Sequence, residues 1–122
     1  AAVQREAAGV DVLVHEAMSL PLMALLTQGA KLAGRPVVET LMVDIQNYHT
    51  TPEQAAQTAY KAQARYLLLN HIAPPLPPLP GLEKAFLGDA AKRFKGPIKI
   101  GRDGDFISLP AHSDIIDSHK RF

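Results

Sequence analysis

The run Thr50-Thr51-Pro52-Glu53-Gln54 and the apolar block Tyr66-Leu67-Leu68-Leu69 that follows it limit the possible folds more than any other feature of the chain. Thr51 has the side chain of a helix N-cap, Pro52 suits the first helical position, and Gln54 completes a capping box. The helix started there should run to about Gln63. Ala55, Ala56, Ala59 and Ala62 lie along it, small residues that let a helix sit close against a sheet. Tyr66 to Leu69 then reads as a buried strand ending in Asn70-His71, and so short a helix-to-strand connection favours an α/β layer structure.

The remaining segments fit around that unit. Val10-Asp11-Val12-Leu13-Val14 reads as a second buried strand, with His15 and Glu16 following its C-terminal end, after a weak helix from Gln4 to Ala8 that Gly9 stops. Met18 to Leu32 is helix-forming apart from Pro21 and Gly29, and after Gly34-Arg35-Pro36 a second helical pattern runs from Val37 to Gln46. Prolines 74, 75, 77, 78 and 80 force an extended loop, a stiff connection more readily than a ligand for an aromatic-lined groove. Leu82 to Phe94 has the pattern of one amphipathic helix. Ile98 to Ile100 and Phe106 to Leu109 read as a hairpin about Asp103-Gly104. The expected organisation is one domain over residues 1–109 and a polar tail over 110–122.

With 122 residues, 47% of them apolar and 20% charged, the chain can order a core. At this length only about two-thirds of the surface is buried on folding, so a partner surface is expected unless packing is good everywhere. The formal charge of +1 gives no electrostatic reason to expect a nucleic-acid-binding face. The absence of cysteine excludes disulfides and thiolate metal sites, leaving His, Asp and Glu as metal donors. The apolar stretch Leu20 to Leu26 is too short to span a bilayer and contains Pro21. Ala1 to Glu6 lacks the Met and basic region of a signal peptide and reads as the middle of a protein, so localisation stays open, with a cytoplasmic setting favoured.

Two expected strands end in histidines, His15 and His71, and His49 stands just before the well-capped helix. Ligands collect beyond the carboxyl ends of strands in α/β sheets, so the three could converge on one site. Imidazole is both a common metal ligand and the side chain best suited to proton transfer near neutral pH. A single histidine at a strand end is more often a solvated loop residue; three placed alike favour a site. Glu16 could orient a histidine by accepting its ring N–H. His112 and His119 lie in the expected tail, with no ligand spacing.

Asp11-Val12-Leu13-Val14-His15-Glu16-Ala17, then His49-Thr50-Thr51-Pro52-Glu53-Gln54-Ala55-Ala56, then Tyr66-Leu67-Leu68-Leu69-Asn70-His71-Ile72 resemble, in order, three motifs of the metallo-β-lactamase-fold hydrolases, in the branch of ribonuclease Z and related arylsulfatases. The resemblance runs from Val3 to Leu109. It implies the C-terminal half of an αββα sandwich, a mixed sheet with helices on its outer face and an inner face, with Val12, Val14, Leu67 and Leu69 buried, that meets a second sheet. It also implies that His71 is a ligand of a two-ion divalent site, zinc by preference, that His49 is the catalytic histidine, that Glu16 orients it, and that His15 is structural or supports the site from behind. The family's His-x-His-x-Asp-His motif, middle histidine ligand and bridging aspartate have no counterpart here. The expectation is therefore of a piece of a longer protein whose N-terminal half completes the site, with a homo-dimer as a further option.

The resemblance implies a metal-dependent hydrolase of phosphate or sulfate esters or a related small substrate. The alternatives are a tRNA 3′-end endonuclease, with nucleic acid as partner, and a metal-free interaction module. Met18 in place of the family's Thr, Thr50 in place of its Ser, and a long His15-to-His49 interval whose apolar helices could form a lid weigh toward the small or apolar ester. No membrane partner is expected.

Overall fold

The computed structural model describes residues 2–120; Ala1 and the last two residues of the expected tail, Arg121 and Phe122, lie outside the described residues. In chain order the elements are α1 (Ala2–Glu6), β1 (Val12–Met18), α2 (Leu20–Leu32), α3 (Pro36–Asp44), a 3-10 turn (Ile45–Asn47), α4 (Pro52–Lys61), β2 (Tyr66–Ala73), α5 (Leu82–Leu87), α6 (Ala90–Arg93), β3 (Ile98–Ile100), β4 (Asp105–Ser108) and β5 (Asp117–Lys120). Strands β1, β2 and β3 form a parallel sheet in that order, with Leu13 opposite Leu67 and Leu67 opposite Ile98. Strands β4 and β5 form a separate antiparallel ribbon. The fold is α/β, and strand directions are mixed between the two sheets rather than within one.

The capping box forms as the sequence requires: Thr51 Oγ1 accepts from the Gln54 amide, and Gln54 Oε1 accepts from the Thr51 amide at 2.9 Å. The alanines of α4 then do what small side chains allow. Ala55, Ala56 and Ala59 are fully buried, and they bring the helix backbone directly onto β1 and β2. Leu13, Ala17, Leu67, Leu69 and Ile100 supply the sheet side of this core, and Phe86, Ala90 and Phe94 close it from α5, α6 and the residue after α6.

Four expectations need correction. The helix expected over Leu82 to Phe94 is two helices broken at Gly88, whose φ of +51° suits glycine and whose missing Cβ leaves room for Glu53 Oε1. Glu53 Oε1 accepts from the Asp89 amide, so the break is held from α4. Second, Arg102 to Asp105 does form a turn, but the strands on either side of it do not pair with each other. Strand β3 joins β2, and β4 pairs instead with β5, which lies inside the expected tail. The Asp105 carboxylate fixes this arrangement by accepting from the Arg102 amide at 2.8 Å and meeting Lys99 Nζ at 3.1 Å. Third, β1 runs to Met18, so His15 and Glu16 sit within the strand rather than after it. Fourth, Leu67 and Leu69 are buried, but Val12 is half-buried and Val14 is 51% exposed. Helices α4 to α6 cover one face of the sheet, and Val14 stands on the open one.

Removing the cap tests the helix start. Thr51→Ala should cost about 1 kcal/mol of stability in urea denaturation, with the slope of the transition unchanged, because one helix-terminal N–H loses its partner. An unaltered midpoint would mean that the alanine packing alone holds α4 in place.

Candidate active site

Glu16 lies on β1, and the residues it holds come from the turn that leads into α4. Its Oε1 accepts from the Thr50 amide at 2.7 Å, and its Oε2 lies 2.9 Å from His49 Nδ1. The Met18 amide returns a bond to the Thr50 carbonyl at 2.8 Å, so Thr50 lies alongside the end of β1 and the reach from Glu16 to His49 is short. The next amide, that of Thr51, belongs to the capping box. The chain entering α4 is thus pinned residue by residue, and the imidazole between these anchors has little freedom.

Burial pushes the Glu16 carboxyl up, but hydrogen bonds from His49 and Thr50 outweigh it and hold the group below its ordinary value of 4.5. At neutral pH Glu16 is therefore a carboxylate and can only accept hydrogen bonds. That settles which ring nitrogen of His49 carries hydrogen toward it: Nδ1–H donates to Glu16, and Nε2 is the nitrogen left to give or take a proton elsewhere. Both side chains are about three-quarters buried, at 23% exposure for His49 and 28% for Glu16, so the pair is shielded without being sealed.

His71 reaches the same place by a backbone irregularity. Strict alternation along β2 would put it on the side of Leu67 and Leu69, against the helices. Between Glu16 and Ala17 the register shifts, so that Glu16 pairs with Asn70 and Ala17 with Ile72, and His71 is the extra residue of a β-bulge with φ of +41°. Ile72 takes the core position beside the fully buried Ala17. His71 turns out instead and stacks on His49, with ring centroids 5.9 Å apart and planes 25° from parallel. A left-handed φ costs a non-glycine residue roughly 1 kcal/mol, and the pairing on both sides of the bulge holds it.

The sequence-nominated residues are thus sorted by the fold. Glu16, His49 and His71 come together. His15 does not face that cluster with its Nδ1, which donates to the Glu16 carbonyl oxygen at 2.8 Å. The Thr50 amide and the bulge escaped sequence reasoning, because a backbone donor and a one-residue register slip leave no side-chain signature. Among the described residues no group of three or more His, Asp or Glu side chains is arranged to hold a metal ion. A catalytic zinc needs about three protein donors, so the described residues do not by themselves make a metal site. No helix among the described residues is long and apolar enough to cross a membrane.

The chain is similar to ribonuclease Z of Mycobacterium avium (strain 104), 31% identical over 107 residues that make up 88% of this chain and 34% of that protein. It is 36% identical over 101 residues to ribonuclease Z of Mycolicibacterium gilvum (strain PYR-GCK), covering 80% of this chain and 29% of that protein. With a putative ribonuclease Z of Mycobacterium tuberculosis (strain CDC 1551 / Oshkosh) it shares 31% identity over 97 residues, 80% of this chain and 38% of that one. The chain spans about a third of the length of the curated relatives it matches. No family model matches it. These similarities relate the chain to ribonuclease Z.

The carboxylate makes a pH-dependent contribution of predictable sign. A carboxyl whose folded-state pKa is depressed stabilises the fold above its ordinary value, and that stability disappears as pH falls through the lowered one. Glu16→Gln should therefore destabilise the protein at pH 7, and the gap from wild type should shrink below pH 4.5 as both side chains become neutral. Urea titrations of the two proteins at several pH values test this; a gap that does not change with pH would mean that the Glu16 charge contributes nothing.

Proposed function

We propose that this chain is the part of a ribonuclease Z-type, metal-dependent hydrolase that carries its proton-transfer pair, and that the activity it serves is cleavage of a phosphodiester at the 3′ end of tRNA. The observation that carries the proposal is the Glu16–His49 hydrogen bond with His71 stacked beside it. In this reading His49 Nε2 gives a proton to the leaving oxygen, Glu16 keeps Nδ1–H pointed at itself and steadies the imidazolium, and the Thr50 amide keeps the Glu16 carboxylate in position. His71 is one donor to a pair of divalent ions, zinc by its nitrogen chemistry, and the remaining donors come from a segment outside this chain. The same segment would lay a second sheet on the face where Val14 is exposed, giving the metallo-β-lactamase sandwich. A tRNA substrate also fits a cytoplasmic setting.

Phosphate or sulfate esters of small molecules, the first preference from sequence, give way to tRNA, because the relatives in hand are ribonuclease Z proteins and lend nothing to an arylsulfatase reading. The metal-free interaction module loses ground for a different reason. A module without chemistry has no use for a clamped carboxylate and a β-bulge that turns a second imidazole toward the first.

In the intact protein His49→Ala should slow phosphodiester hydrolysis by about 10²–10⁴-fold with metal content unchanged, the cost of losing a general acid. His71→Ala should lower metal content, and Glu16→Gln should fall between wild type and His49→Ala, because it loosens the imidazole without removing it. Metal analysis and cleavage of a tRNA precursor, side by side with a small phosphodiester, read all three. Equal metal loss in His49→Ala and His71→Ala would reassign His49 as a ligand, and unchanged cleavage in both would remove the site from the reaction.

A further inference from the structure

Asparagine is disfavoured in strands, yet Asn70 lies inside β2, directly after the buried Leu69. Two roles commonly account for such a residue, and neither applies. Asparagine tolerates a left-handed backbone, but the residue with positive φ at the bulge is His71. Asparagine also ties down nearby backbone through its side chain, but the Asn70 carboxamide makes no hydrogen bond among the described residues. The residue is exposed, and its two N–H donors are unspent.

The sheet sets where those donors stand. Asn70 is the cross-strand partner of Glu16, and alternation puts it on the face opposite Leu67 and Leu69, together with Leu68. Leu68 pairs with Val14, so the open face carries an apolar pair, Val14 and Leu68, and then a polar pair, Glu16 and Asn70. Paired strands run about 4.8 Å apart, which brings the carboxamide alongside the Glu16 side chain. Glu16 does not use it: Oε1 is held by the Thr50 amide and Oε2 by His49. The next residue, His71, stacks on His49. A neutral donor is thus left over beside the pair that moves the proton. A carboxylate in its place would repel an anionic ester, whereas an amide N–H attracts an ester oxygen without adding a charge next to Glu16.

We infer that Asn70 contacts the substrate, its side-chain N–H donating to a non-bridging oxygen of the phosphodiester while His49 Nε2 gives its proton to the leaving oxygen. This deepens the hydrolase reading and rests on it. The test uses the intact protein, as wild type, Asn70→Ala, Asn70→Ser and His49→Ala. The substrates are a tRNA precursor and its two phosphorothioate diastereomers, in which sulfur replaces one or the other non-bridging oxygen at the cleavage site. Asn70→Ala should lower kcat by about 10²–10³-fold with KM changed by no more than about twofold, the pattern of a donor that acts in the transition state. Metal content should not change. Asn70→Ser keeps one donor and should recover about tenfold of the loss. Sulfur accepts hydrogen bonds poorly, so with one diastereomer the contact is already lost in wild type, and Asn70→Ala should slow it by no more than about threefold further. The other diastereomer should show the full loss. A structural defect would instead slow both diastereomers alike, and that result, or an unchanged kcat in Asn70→Ala, would overturn the inference. His49→Ala separates the two readings. If it cleaves at the wild-type rate the hydrolase reading falls and this inference with it; if it is slow while Asn70→Ala is not, only the role of Asn70 falls.

Discussion

Ala55, Ala56 and Ala59 meet the side chains of β1 and β2 with nothing longer than a methyl group on the helix side of the contact. That close contact sets the height of α4 over the sheet, and the helix start follows from it. Thr51 and Gln54 close the cap, Thr50 falls beside the end of β1, and His49 arrives within 2.9 Å of Glu16. A larger residue at any of these three positions would lift the helix, and overpacking of this kind costs about 1–3 kcal/mol. The site would register the shift before the core failed, because hydrogen-bond geometry tolerates only a few tenths of an ångström while aliphatic packing can relax over many contacts.

The parts of the fold legible in the sequence are those whose signals are local. The Thr51 cap, the alanine helix and the apolar strand at Tyr66 are each written within a few residues, and each forms where expected. The break at Gly88 was hidden because its cause, the Glu53 carboxylate, belongs to another helix. The pairing of β4 with β5 was hidden because Asp103-Gly104 marks a turn without saying which strands flank it, and the competing partner for β3 was the far more apolar β2. Val14 was misplaced for a related reason. A β-branched residue in an apolar strand says that a face is apolar, not which polypeptide will cover it.

The candidate site divides in the same way. Glu16, His49 and His71 could be nominated from residue type and position, but the device that brings His71 to His49 could not. A bulge is a choice between two registers of one strand pair, settled by whether Ile72 or His71 occupies the space beside Ala17. Ile72 is partly buried there, a gain of up to about 1.5–3 kcal/mol, whereas burying an unpaired imidazole would cost. The two terms together offset the cost of the left-handed φ, and so hydrophobic packing on one side of the sheet sets the geometry of the polar site on the other.

The same separation explains how a 28-residue arm can lie between the two members of a hydrogen-bonded pair, Glu16 and His49, without loosening it. Loop-closure entropy grows only with the logarithm of length, about 0.6 kcal/mol for each doubling, so a long insertion costs little if its ends are already fixed. Here the ends are fixed from outside the arm: the Ser19 amide donates to the Ala73 carbonyl at 2.8 Å, and the Met18 amide and Thr50 carbonyl close the gap at the base. Below those two bonds lie the sheet, the cap and the carboxylate, none of which depends on what the arm does. Above them the chain was free to accumulate exposed leucines, whose cost in water is met only when something lies against them.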